Sequence, residues 1–188
     1  MTEIEQLLER VAEEARNTRP WGWTSLPSPV TTAALARAEA TLGFALPPLL
    51  AALYLRIGDG GFGPDAGLWP LLDSPFADGP AAVPQYLANR ESGPEDTNWP
   101  WPEGVLPIAY CCCGACVCVD CTTPEGTVLF FEANANGADQ AWYVEEPGLA
   151  EWLRTWLDDT SGYDDAGGVK ELVSWPDFRI RTAAAQAE

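Results

Sequence analysis

The densest potential chemistry lies in the run CCCGACVCVDC, residues 111–121, which holds all six cysteines of the chain. Cys113 and Cys116, and again Cys118 and Cys121, have the CxxC spacing used for zinc. Only Val117 separates the two pairs, whereas a four-thiolate site draws its pairs from separate knuckles that fold back on one another. If residues 115–120 form a strand, Cys116 and Cys118 share one face, Val117 and Val119 take the other, and Cys121 points away from Cys118. The expected role is therefore that of small buried hydrophobes, with no metal assigned. Such close cysteines would close only strained disulfide loops, so reduced thiols in a reducing compartment are expected. A zinc site, or redox or nucleophilic use of a thiol, is the alternative.

Other routes to catalysis are narrow. The chain has no histidine, which removes Ser-His-Asp and Cys-His arrangements, the HExxH zinc helix and the deaminase metal site. Catalysis would have to use carboxylates, thiols or the single lysine, Lys170, and nothing in the sequence marks two acids as converging on one cleft. The stretch GDGGFGPDAG, residues 58–67, lacks the Lys-Ser/Thr of a phosphate loop and carries acids that oppose phosphate. It reads as a turn beside a binding face. No catalytic residue and no cofactor is assigned, and the chain is expected not to be an enzyme.

Charge points instead to a partner. Formal net charge is −18, from 28 acids against 10 bases. Between Glu91 and Asp177 there are 17 acids and two bases, Arg154 and Lys170, a difference of −15. That excess repels nucleic-acid phosphates and anionic membranes, and a basic protein surface is its natural complement. A surface that merely keeps the protein in solution is the plainer explanation of the same charge. The amphipathic opening MTEIEQLLERVAEEA does not read as a signal peptide, and no apolar run approaches the ~20 residues that span a bilayer. A cytoplasmic protein is expected.

The elements that must position these residues follow from periodicity. Ile4, Leu7, Leu8 and Val11 predict a helix over 3–16. Thr31 or Thr32 caps a second helix with Leu35, Ala38 and Leu42 on its buried line, ended by Gly43. Pro47 and Pro48 open a third, with Leu49, Leu50, Leu53, Tyr54 and Ile57 as one stripe, and Pro80 or Pro84 opens a short helix through Tyr86 and Leu87. Residues 91–104 read as a long loop. Strands are expected over 105–109, 115–120, 127–132 and 140–144, with Pro124-Glu125-Gly126 turning the middle pair into a hairpin. The third should be central, because residues 127–131 are apolar on both faces. Glu145 and Pro147 are expected to open a helix with Leu149, Trp152, Leu153, Trp156 and Leu157 on one face, followed by an acidic turn over 164–168 and a segment, 169–180, that packs back. The expected fold class is α+β, with a mixed, mainly antiparallel sheet and helices packed around it, in one domain over 1–188.

In order and spacing these segments resemble the SUKH superfamily, which includes the fungal Smi/Knr regulators and many bacterial immunity proteins of polymorphic toxin systems. The matching residues are Ala38-Glu39, Leu42-Gly43-Phe44, Leu46-Pro47, Leu53-Tyr54, Gly60-Gly61-Phe62-Gly63-Pro64 and Gly67-Leu68. They continue with Leu106-Pro107-Ile108, Cys113, Cys118-Val119-Asp120-Cys121, Thr123-Pro124-Glu125-Gly126, Phe130-Phe131, and Glu151-Trp152 to Trp156-Leu157. The resemblance covers about 31–158, leaving 159–188 as a C-terminal extension. Two departures stand out: Tyr110-Cys111-Cys112-Cys113 replaces a Trp-Gly-Cys, and Asp59 stands where an asparagine precedes the first glycine pair.

The resemblance implies a non-catalytic domain that binds another protein, with immunity against a cognate toxin as the leading expectation and a nuclease among the candidate toxins. Blockade of the toxin's basic active or substrate-binding surface would be the mechanism. From charge and loop placement the first candidates for contact are Glu91, Glu95, Asp96, Glu103, Asp139, Glu145 and Glu146, with Trp99 and Trp101 as anchors. A housekeeping interaction module is the second reading, and a small zinc, carboxylate or thiol enzyme the third.

Overall fold

Thr2 starts the first helix by accepting the Glu5 N–H on its side-chain oxygen at 3.2 Å, and in the computed structural model α1 spans Glu3–Asn17. The structure describes residues 2–20, 22–64, 66–76, 79–94, 97–111, 114–158 and 172–183. The acidic turn expected over 164–168 lies outside them. Thr31 likewise caps α2, Thr32–Leu42, and Gly43 ends it at φ 81°, in the left-handed region that glycine enters without a Cβ penalty. α3, Pro48–Arg56, buries Leu49, Leu50, Leu53 and Tyr54, and α4, Ala82–Ser92, buries Val83, Tyr86 and Asn89.

The strands are β1, Val105–Tyr110, β2, Cys116–Asp120, β3, Thr127–Phe131, β4, Trp142–Glu146, and β5, Val173–Ser174; between β4 and β5 lies α5, Leu149–Leu157, and after β5 comes α6, Phe178–Ala183. They form one sheet in the order β1-β2-β3-β4-β5, every neighbour antiparallel, so β3 is central as its apolar composition predicts. The free side of β1 is partly covered. Leu68 bridges Ala109, the Trp69 N–H donates to the Ile108 carbonyl at 2.7 Å, and the buried Tyr54 hydroxyl donates to the Trp69 carbonyl at 2.9 Å. That pins the glycine-rich turn before Leu68 to the sheet and blunts an edge that would otherwise invite pairing.

Expectation and structure part at β4. The strand begins at Trp142 and continues through Glu146, because its ladder with β3 runs on to Val128↔Glu146 across an irregularity. Glu145 and Glu146 are thus strand residues, and Gly148 precedes α5. The short strand β5 was not foreseen by periodicity at all.

Register places Tyr110, Cys116, Phe131 and Trp142 in one row across β1 to β4, on the face that also carries Cys118, Asp120 and Leu129. An aromatic cluster covers this row. Trp101 lies 4.8 Å from Trp142 and 5.2 Å from Phe131, while Trp175 and Phe178 lie 5.9 and 6.0 Å from Trp142. Each such pair adds about 0.5–1.5 kcal/mol beyond its buried area, so the cluster fixes the loop before β1 and the β5–α6 segment onto the sheet.

Candidate protein-binding face

The loop from Gly93 to Gly104 joins α4 to β1, and its shape is set by hydrogen bonds. Gly93 leaves the helix at φ 77°, where a Cβ would meet the Trp99 nitrogen at 2.7 Å. The Asn98 N–H donates to the Ser92 carbonyl at 3.2 Å, and the Thr97 hydroxyl donates to the Pro94 carbonyl at 2.8 Å. Arg90 reaches forward from α4 to the Trp101 carbonyl at 2.6 Å. At the far end the Gly104 N–H donates to the Tyr86 hydroxyl at 3.3 Å, and burial pushes that phenol up, the hydrogen bond opposing the shift.

This packing separates the two tryptophans expected to act together. Trp101 is 2% exposed and its indole N–H donates to the Val105 carbonyl at 2.7 Å, so it is a core residue and not a surface anchor. A buried indole needs a partner for its N–H, and the strand entry supplies one. Trp99 is half-buried against the core and keeps a surface on the loop.

The acids fall into three groups. Glu91 and Glu103 are exposed at the two ends of the loop and make no ion pair among the described residues. Asp139, in a single 3-10 turn at Ala138–Gln140, pairs with Arg179 of α6 at 2.7 Å. Glu145 is half-buried on β4, where it accepts the Trp152 indole N–H at 3.2 Å; that bond commits it to holding α5. Glu146 is half-buried beside it, and Glu95 and Asp96 lie outside the described residues. Glu91 and Glu103 thus stand at the two ends of the loop that carries Trp99, and Glu145 and Glu146 lie on another element.

Beside the loop is a cavity of about 300 Å³, whose described lining includes Gln85 and Asn89 of α4, Trp69, Trp101, and the sheet row Tyr110, Cys116 and Phe131. A second concavity, about 650 Å³ and mainly apolar, runs between α1, α3, the Pro124-Glu125 turn and the start of α5. The glycines and prolines of the sequence mark the turns around both, but no local pattern marks either hollow.

Of the described cysteines, Cys111 and Cys121 are half-buried. Cys116 and Cys118 are buried on one face, with sulfurs 3.6 Å apart. Burial pushes the Cys118 thiol well up, as do the hydrogen bond and charge of Cys116 and the carboxylate of Glu145, and burial with the charge of Asp120 does the same to Cys121. Thiols held protonated are poor nucleophiles and poor metal ligands. Among the described residues no group of three or more His, Cys, Asp or Glu side chains is placed to hold a metal ion; Cys112 and Cys113 lie outside them. Asp120, in the same run, is 2% exposed and accepts from the Thr122 N–H at 3.0 Å and hydroxyl at 2.7 Å, and from Arg181 at 2.5 Å. No helix among the described residues is long and apolar enough to cross a membrane.

Comparison with known proteins gives one family. The model of the SMI1 / KNR4 family (SUKH-1) matches residues 29–155, from the approach to α2 through most of α5. No curated protein matches the chain.

Proposed function

We propose a protein-binding, non-catalytic role of the immunity type for this chain, which belongs to the SMI1 / KNR4 family (SUKH-1). In the finer reading it binds a cognate toxin in the cytoplasm and neutralises it by covering the toxin's basic active or substrate-binding surface.

The observation that carries this reading is that two exposed acids with no ion pair among the described residues stand at the ends of a loop that holds a part-buried aromatic. Glu91 and Glu103 flank the loop that holds Trp99, within a stretch of 17 acids and two bases. A field of that sign attracts a surface built to hold phosphate and raises the encounter rate, while the part-buried ring supplies a contact whose entropy of ordering is already spent. Nuclease surfaces have the required charge, so a nuclease toxin is the first candidate. Blockade needs no reacting group on the inhibitor.

Capture of partners by the immobilised chain from the source cells and their secreted toxins tests this reading. Retention of a basic toxin domain, with loss of that domain's activity on binding, supports it. Retention of resident cellular proteins without a toxin moves the assignment to a housekeeping interaction module.

A further inference from the structure

We propose that the cavity beside the loop is a receptor for an arginine side chain of the protein partner. This deepens the binding reading and rests on it.

Three features of the wall converge on a guanidinium. Among the described residues four rings border the cavity: Trp101 and Phe131 are buried against each other and Trp142, Trp69 is nearly buried, and Tyr110, 42% exposed, presents the accessible ring. Aromatic faces attract cations, and a flat, weakly hydrated guanidinium stacks on them where an ammonium keeps its water. The polar part of the wall is amide. Gln85 donates its Nε2–H to Asn89 Oδ1 at 2.9 Å, which holds the Gln85 amide and leaves its carbonyl oxygen as an acceptor for a guanidinium N–H; Asn89 itself is 4% exposed.

Charge decides between ligand classes. Among the described residues that line the cavity there is no Lys, Arg, Asp or Glu, and the neighbouring Arg90 is turned to the Trp101 carbonyl. A phosphate or carboxylate would enter without a counter-charge, against a chain of net charge −18. A purely apolar side chain would strand the amides. The volume of about 300 Å³ accepts one long side chain, not a segment of backbone. An arginine beside phosphate-binding machinery is what a basic toxin surface offers, so the cavity and the acids Glu91 and Glu103 would read one partner by two different means.

The test uses the intact chain and three small probes, acetyl-arginine amide, its neutral isostere acetyl-citrulline amide, and acetyl-phenylalanine amide, followed through the indole N–H signals of Trp69 and Trp101 by NMR. Saturable shifts with the arginine probe, at least about fivefold weaker with citrulline, are expected, the size of one cation–aromatic contact. Tyr110→Ala, at an exposed position, should weaken the arginine probe by a similar factor in a variant whose tryptophan spectrum stays native, and Gln85→Glu should tighten it while leaving citrulline unchanged. Equal response to arginine and citrulline, stronger response to phenylalanine, or indifference to both substitutions overturns the proposal. Because no toxin enters this experiment, failure of the cavity leaves partner capture untouched, and failure of capture leaves the probe result standing.

Discussion

Arg181 of α6 closes on Asp120 of β2 at 2.5 Å, joining positions 61 apart in the chain beneath the β5–α6 segment. The Asp120 side chain is 3% exposed and that of Arg181 21%, and the same guanidinium lies 5.6 Å from the Trp175 ring. One residue thereby ties the hairpin after β2, the strand β5 and the last helix to a single carboxylate.

Removing one member of such a pair strands the other. Arg181→Met is expected to destabilise the chain by about 3 kcal/mol, measured by urea denaturation, because the buried Asp120 carboxyl loses its ion-pair partner. Red-shifted tryptophan emission should accompany it as Trp175 loses its cover. A loss below about 1 kcal/mol would place the pair among weak surface bridges.

Asp59 gives a pH dependence of defined sign. It accepts the Leu71 N–H at 2.7 Å, and burial raises its pKa from the ordinary 3.8, the hydrogen bond opposing and Asp73 adding to the shift. Between that ordinary value and the raised one the folded chain holds more proton than the unfolded, so this group's contribution falls as pH rises through the window and returns on acidification. Asp59→Asn keeps the acceptor and removes the charge. It should raise the denaturation midpoint near neutral pH, with the advantage shrinking towards about pH 4; a variant less stable than the parent at neutral pH would contradict this.

Two glycines separate backbone strain from crowding. Gly43 and Gly60 have nearly equal φ, 81° and 79°, but a Cβ on Gly43 meets nothing within 4 Å, whereas on Gly60 it falls 2.6 Å from the Leu68 carbonyl oxygen and 2.8 Å from the Pro70 nitrogen. Gly43→Ala should cost about 1–2 kcal/mol, the left-handed penalty alone. Gly60→Ala should cost at least about 2 kcal/mol more, since backbone must move. Equal losses on denaturation would show that the turn after Gly60 yields freely.

The buried thiols should be silent in the folded state. Alkylation of Cys118, read by peptide mapping after a pulse of iodoacetamide, is expected to proceed only as fast as the chain unfolds, while Cys111, half-buried, reacts from the native state. Cys118 labelling as fast as Cys111 labelling would reopen a reactive role.

Much of this architecture is local and therefore legible. The Thr31 cap, the Gly43 stop, the Leu49–Tyr54 stripe and the central position of β3 each follow from residues within one element. The start of α5 is hidden in the sequence because Glu145 and Pro147 imitate a helix opening, while the ladder bond that keeps Glu146 in the strand is made to Val128 across the sheet. Trp99 and Trp101 share the same Pro-flanked context, and only the fold sends one into the core. Asp120 was visible inside CVDC, but its partner Arg181 lies far along the chain. The cavity was not legible at all, since Gln85, Tyr110 and Phe131 meet only after α4 docks on β1.

Association kinetics with the captured partner test the central claim most directly. The parent chain and a Glu91→Lys/Glu103→Lys variant are compared by stopped flow at low and high salt. An acidic face that guides binding predicts that the variant associates about tenfold more slowly at low salt and that the two converge at high salt. Equal rates at low salt, or a parent rate that salt does not change, would contradict it and leave the negative surface without a role in recognition.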